Sequence, residues 1–323
     1  MHPTILQVFK VLLGVAIPLA SFATGLRAAR ADPTWLARHP GLLARALLTL
    51  LILLPVGAVL FLRAIAAPPL VAAGLTIAVV AIGIGPPAIF GRVKKARAAR
   101  AGEAPPGVED ALSFEVGLNV VLLVLSIVYI PAFIAVHGLF FQHRLHLAPL
   151  AVAKVVLGRA LVPLALGVAL GRLAPRAERP VVRYAGIFVQ LVLLLVVVVA
   201  IAATGRSLVG LGGRSWLTCA VVVLAEIVIG HLLGGPTLET RGVLASFGAM
   251  RFPALALLIA RITPRARELV PVIVAYVLTS FVLVAVYGAF TAAARARTRG
   301  APRRPGPLRP RIVGSVPPRS GAT

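Results

Sequence analysis

With 323 residues, 59% of them hydrophobic and only 13% charged, and a mean hydropathy of +0.99, the chain has too few charges to cover a soluble domain of its size. Its net charge of +24 would suit nucleic acid, but the basic residues sit at the edges of apolar runs and in the C-terminal segment, where membrane topology places them, so no nucleic-acid partner is expected. A single cysteine, Cys219, excludes a disulfide within the chain and a thiolate metal site.

Apolar runs of about 18 residues or more recur along the chain, each long enough to cross about 30 Å of hydrocarbon. The first, at about 4–26, has no basic segment before it and no small-residue cleavage site after it, so it reads as a span rather than a cleaved signal. Further spans follow at about 46–65, 69–90, 111–136, 148–171, 181–203, 215–233, 242–260 and 268–291, which makes nine. The expected fold class is an all-α polytopic membrane protein surrounded by a lipid bilayer. With edge residues counted in the adjoining loop, the loops after the odd-numbered spans and the C-terminal segment hold 22 Lys and Arg, against 7 in the other loops. That asymmetry assigns the first set to the cytoplasm and places the N-terminus outside and the C-terminus inside. Arginine far outnumbers lysine in an Ala-rich chain, as a GC-rich genome would produce, and the expected location is the inner (plasma) membrane of a bacterium. Residues 292–323, rich in Arg, Pro and Gly, are expected to be a disordered basic tail near anionic lipid.

Two spans carry breaks. The third ends in AVVAIGIGPPAIFGRVKKA, where Gly85, Pro86 and Pro87 remove backbone donors and favour non-helical torsions. The eighth reads VLASFGAMRFPALALLIARITPRA, where Gly248 and Pro253 do the same around Arg251. Irregular backbone survives inside a bilayer only where protein buries it or it lines a cavity. One such site is an ordinary kink; two at matching positions point to a secondary transporter with inverted repeats. The second break lies five spans after the first, and an odd offset inverts the second copy. Residues 1–136 are then a first repeat lacking one helix, 137–147 an outward loop, and 148–291 a complete five-span repeat.

The stretch GHLLGGPTLETRGVLASFGAMRFPALALLIA (230–260) resembles the bile acid:sodium symporter family, particularly its divergent bacterial members. ASFATGLRAA (20–29) is similar to the family's early panel-helix motif, GIGPPAI (83–89) to its first broken helix, and LSIVYIPAF (125–133) to the helix after it. The resemblance runs over about residues 4–291 and implies a panel domain, a core domain with two crossing broken helices, and alternating access. It also implies sodium sites built from polar residues at the first break and from a Glu followed by Gln-Asn at the second. The corresponding positions here are Gly85, Pro86 and Pro87, and Phe247, Arg251 and Phe252, so the carboxylate is replaced by a cation. Sodium coupling is doubtful on that ground, and proton coupling is the other option. No further cofactor is expected.

Arg251 is the sharpest candidate, because an arginine deep in a span is costly and seldom lacks a partner or a task. The end of the half-helix starting near Pro253 offers freed N–H groups and a favourable dipole, so Arg251 is expected to bind a carboxylate substrate or to pair with a buried Glu. Glu115, Asn119 and Ser126 share one face of the fourth span, and the resemblance turns that face toward the first break. Glu115 lies near the cytoplasmic end and reads as solvated, or as a proton site if buried. Glu226 is the one acidic residue well inside a span, a counter-ion for Arg251 or a proton carrier. His231, five residues on, is a hydrogen-bonding or titrating candidate. Gln190, Thr76, Thr218, Thr279 and Ser280 either line a cavity or bond their own backbone. His137, His143 and His146 lack an acidic neighbour, and no metal site is expected.

The expected function is transport of a small organic anion, a carboxylate or sterol-like acid, without catalysis. The alternative is a membrane-embedded transferase acting on a lipid-linked substrate. Such enzymes usually need clustered acidic groups for a Mg²⁺-bound diphosphate, and the only aspartates, Asp32 and Asp110, lie far apart.

Overall fold

Proline sets where several helices begin. Its fixed φ suits the first helical turn and its missing N–H is not needed there, and Pro3, Pro40, Pro69, Pro175 and Pro253 each open a helix. In the computed structural model, residues 3–28, 34–81, 108–141, 154, 157–173, 175–261 and 266–300 are described. The elements are α1 (Pro3–Ala28), α2 (Pro40–Ala64, with a π-helical turn at Leu48–Leu53) and α3 (Pro69–Val80). Then come α4 (Val108–Phe141), α5 (Val162–Leu173, after a π-helical turn at Leu157–Leu161), α6 (Pro175–Gly210) and α7 (Gly212–Leu233). α8 (Leu238–Ala249), α9 (Pro253–Arg261) and α10 (Ala266–Gly300) complete the set.

Every regular element among the described residues is helical. Four segments among them, Pro40–Ala64, Asp110–Ile130, Gly212–Leu233 and Glu268–Ala294, have the length and apolar composition to cross a membrane. Large apolar side chains such as Leu191 and Leu194 on α6, Leu217 and Leu224 on α7, and Val282 on α10 face outward, as a lipid environment requires. The expected first residues of the fifth span, 148–153, and the end of the third, 82–90, lie outside the described residues. α10 continues to Gly300, so residues 292–300, expected in a structureless tail, extend the helix instead; residues 301–323 lie outside the described set.

The packing falls into two groups. In one, α1 lies against α5 and α6. Ser21 and Gly25 on α1, and Gly167 and Gly171 on α5, are buried and spaced four apart, which makes one stripe of each helix small. A Cβ on Gly25 would collide with the Leu164 carbonyl and one on Gly167 with the Phe22 carbonyl, so the two backbones touch directly. In the other group α3 is enclosed by α2, α4, α9 and α10, and each residue from Val71 to Val80 is buried. A helix apolar all round belongs at the centre. α10 joins the groups by packing on α6 as well as on α3, α7 and α9.

Connections at the two ends fall into matching sets. Trp35 Nε1 donates to Asp110 Oδ1 at 3.0 Å, and a Cβ on Gly235 would meet Leu42. The segment before α2, the start of α4 and the α7–α8 turn therefore share one end. Arg214 donates to the Ile65 carbonyl at 3.0 Å, which puts the α2–α3 and α6–α7 connections together at the other.

Candidate anion site at a helix break

The site begins with a helical hairpin. α7 runs to Leu233, the chain turns through Gly235 at φ +96°, and Thr237 caps α8 by accepting from the Thr240 N–H at 3.2 Å. Arg241 Nε donates to the Gly235 carbonyl at 2.8 Å and fixes the turn. Gly230 and Gly234 let α8 lie on α7 without intervening side chains, because a Cβ at either would collide with the backbone of Ala245 or Arg241. α8 is only 12 residues long, about 18 Å, too short to cross alone.

α8 stops at Ala249, and the Met250 N–H closes it on the Ser246 carbonyl at 2.8 Å. Met250, Arg251 and Phe252 are non-helical before Pro253 starts α9. α3, coming from the opposite end, leaves the helix at Ala81 (φ −67°, ψ 65°), and the Ala81 carbonyl accepts from the Phe252 N–H at 3.2 Å. The end of α3 and the break between α8 and α9 meet there. A carbonyl orphaned by one helix end is satisfied by a donor freed at the other, and burial leaves no water to do it instead.

Arg251 extends from this junction into the protein and is 5% exposed. Its Nε stands 4.0 Å from Glu226 Oε1, close enough to compensate charge and too far for a hydrogen bond. Glu226, on α7, is 2% exposed, and its Oε2 accepts from the Tyr276 hydroxyl of α10 at 2.7 Å. The same hydroxyl lies 3.3 Å from the Ala249 carbonyl at the end of α8. Tyr276 thus ties α7, α8 and α10 together at the break. Among the described residues, Arg251 Nε and Nη2 and Glu226 Oε1 have no hydrogen-bond partner. Nε and Nη2 point the same way from a guanidinium and form the paired donors that a carboxylate takes with both oxygens. Tyr129 of α4 lies within electrostatic reach of Arg251, and its hydroxyl also lacks a partner among the described residues.

Of the sequence candidates, the structure brings Arg251, Glu226 and Pro253 to this junction. Gly248 corrects the expectation that it is a helix breaker. It lies inside the last turn of α8, where a Cβ would come within 3.1 Å of the Glu226 carbonyl and 3.0 Å of Leu54, so its role is close packing. Gly85, Pro86 and Pro87 lie outside the described residues, and α3 has already left the helix at Ala81. Glu115 is 4% exposed, which corrects the solvated reading. Asn119 is buried on the same α4 face. Ser126 donates to the Leu123 carbonyl of its own helix at 2.6 Å and has no free hydroxyl proton to offer a ligand. His231 is not part of the junction: its Nδ1 meets the Tyr287 hydroxyl at 2.7 Å, nearer the α7–α8 turn.

The start of α9 offers an anion less than expected, because the Phe252 N–H is taken by Ala81 and those of Leu255 and Ala256 by the Phe252 carbonyl. Thr218 and Thr279 bond their own helices, to Arg214 and Ala275 carbonyls, while Thr76 Oγ1 is buried without a partner among the described residues. Sequence reasoning missed Tyr276 and Tyr129. Their signal was a phenol in the middle of an apolar span, which obliges a buried hydroxyl to find a partner. No group of three or more His, Cys, Asp and Glu able to hold a metal occurs among the described residues. No family model matches the chain, and no curated protein matches it either.

Proposed function

We propose that the protein is a secondary transporter of a small organic anion, cation-coupled and working by alternating access, with a carboxylate bound at Arg251. The observation that carries this reading is the buried Arg251 in the break between α8 and α9, beside the end of α3, with Nε and Nη2 unpartnered among the described residues. An arginine kept for packing alone would have its donors satisfied, since each buried orphan is costly. Discontinuous helices that meet inside the protein are the usual setting of transporter binding sites.

The packing supports an architecture like that of the bile acid:sodium symporter family. α1, α5 and α6 would be the panel, and the elements around α3 and α8–α9 the core. In this reading the nine spans form two inverted repeats, with the N-terminus outside and the C-terminus in the cytoplasm of a bacterial cell. Sodium is a poor coupling ion at the second break, because a guanidinium stands where the family keeps its acidic and amide ligands.

The test is uptake and counterflow of radiolabelled small carboxylates by the purified protein in liposomes, with sodium and proton gradients imposed separately. Uptake is expected without sodium, lost in Arg251→Ala and reduced in Arg251→Lys, since lysine keeps the charge and loses the paired donors. Unchanged uptake by Arg251→Ala at normal expression overturns the assignment.

A further inference from the structure

Glu226 is the counter-ion that faces Arg251, and the pair stays open. An ion pair built for stability would close to hydrogen-bond distance in a site this dry. Here Glu226 Oε1 stays 4.0 Å from Arg251 Nε and has no hydrogen-bond partner among the described residues, while Oε2 is held by Tyr276. The arrangement leaves one carboxylate oxygen and the paired guanidinium donors open side by side. The charged and titratable groups acting on Glu226 among the described residues are Arg251 from the break and Tyr276 from α10. α8 presents Gly248 and the Ala249 carbonyl, α2 presents apolar Leu54, and Tyr129 of α4 acts on Arg251.

We propose that Glu226 is the proton-binding group of an anion–proton symport site, in which a substrate carboxylate on Arg251 and one proton on Glu226 Oε1 arrive together. This rests on the transport reading above. Among the described residues the junction's charges are Arg251 and Glu226, which cancel. A monocarboxylate entering alone would leave a net negative charge in a low-dielectric interior, which is expensive. One proton from the aqueous phase restores neutrality: an O–H bond forms at Oε1, no other bond is made or broken, and Arg251 passes from Glu226 to the substrate. Tyr276 keeps Oε2 occupied and holds the carboxyl in place during the exchange. The loaded site then crosses as a neutral unit with one proton per anion, and no sodium ligand is needed.

The experiment is calorimetric titration of the purified full-length protein in detergent with acetate, pyruvate and benzoate, in two buffers of different ionisation enthalpy. For each acid that binds, the buffer dependence is expected to report about one proton taken up per anion. In Glu226→Gln, which carries a neutral amide in place of the acid, that buffer dependence disappears. In liposomes holding a trapped pH dye, uptake by the wild type acidifies the lumen. Binding or uptake with no proton by the wild type overturns the proposal and leaves the transport reading intact. Retained proton uptake in Glu226→Gln also overturns it. If no carboxylate binds and none accumulates, both readings fall. The wild-type stoichiometry decides the matter even if the variant fails to fold.

Discussion

Two contacts between helices show how differently this chain uses close approach. α1 meets α5 through Gly25 and Gly167, backbone on backbone. α8 meets α7 through Gly230, Gly234 and Gly248 with the same economy of side chains, yet the approach ends at Arg251, Glu226 and Tyr276. The first contact is complete as it stands, since helical backbones satisfy themselves and dispersion does the rest. The second carries a buried charge pair with donors and an acceptor that have no hydrogen-bond partner among the described residues. Glycine at the first serves packing alone. At the second it brings a carboxylate to a broken helix.

The largest effect should come from separating the charges. Arg251→Ala and Glu226→Ala should each destabilise by about 3–5 kcal/mol, because each strands the other charge in the interior. Replacing both together with Arg251→Met and Glu226→Leu should recover most of that loss while carboxylate binding disappears. Thermal unfolding in detergent gives the coupling; additive single losses would mean that the two do not act as a pair.

At the glycine contact, Gly25→Leu or Gly167→Val should cost about 1–3 kcal/mol or more by overpacking against a carbonyl that cannot move aside. Carboxylate affinity per folded molecule should stay at the wild-type value. If affinity changes as much as stability does, the two contacts are not separate in function. The smallest effect belongs to Ser126→Ala, expected within about 0.5 kcal/mol of wild type. Its hydroxyl already serves Leu123, so anion affinity should not move. A tenfold loss measured by titration would return Ser126 to the site.

The break before α9 was readable because Pro253 can start a helix and cannot continue one, and α9 does begin there. Arg251 and Glu226 were readable because charges are rare in such spans. Gly248 was misread for a physical reason: glycine permits a break without requiring one, and here it permits contact with the Glu226 carbonyl instead. The first break was expected at the conspicuous Gly85–Pro87 run, which lies outside the described residues, and α3 leaves the helix at Ala81. Alanine is the best helix former, and no local signal at Ala81 announces that departure. Its carbonyl bonds Phe252, a residue remote in the chain. Tyr276 escaped notice because a phenol in an apolar run shows its meaning only through the carboxylate it meets.

The amino-acid sequence by itself determined the helical membrane character, the position of the second interruption and the presence of charges that a bilayer tolerates only for cause. Those properties follow from local chemistry: apolar run length, proline geometry and the cost of a buried ion. Tertiary structure alone decided that the end of α3 bonds to the break before α9, that Tyr276 anchors Glu226, and that Arg251 stands near its counter-ion without closing on it. Hydrogen bonds between remote segments depend on three-dimensional distance, and a linear pattern of residue types contains no such distance.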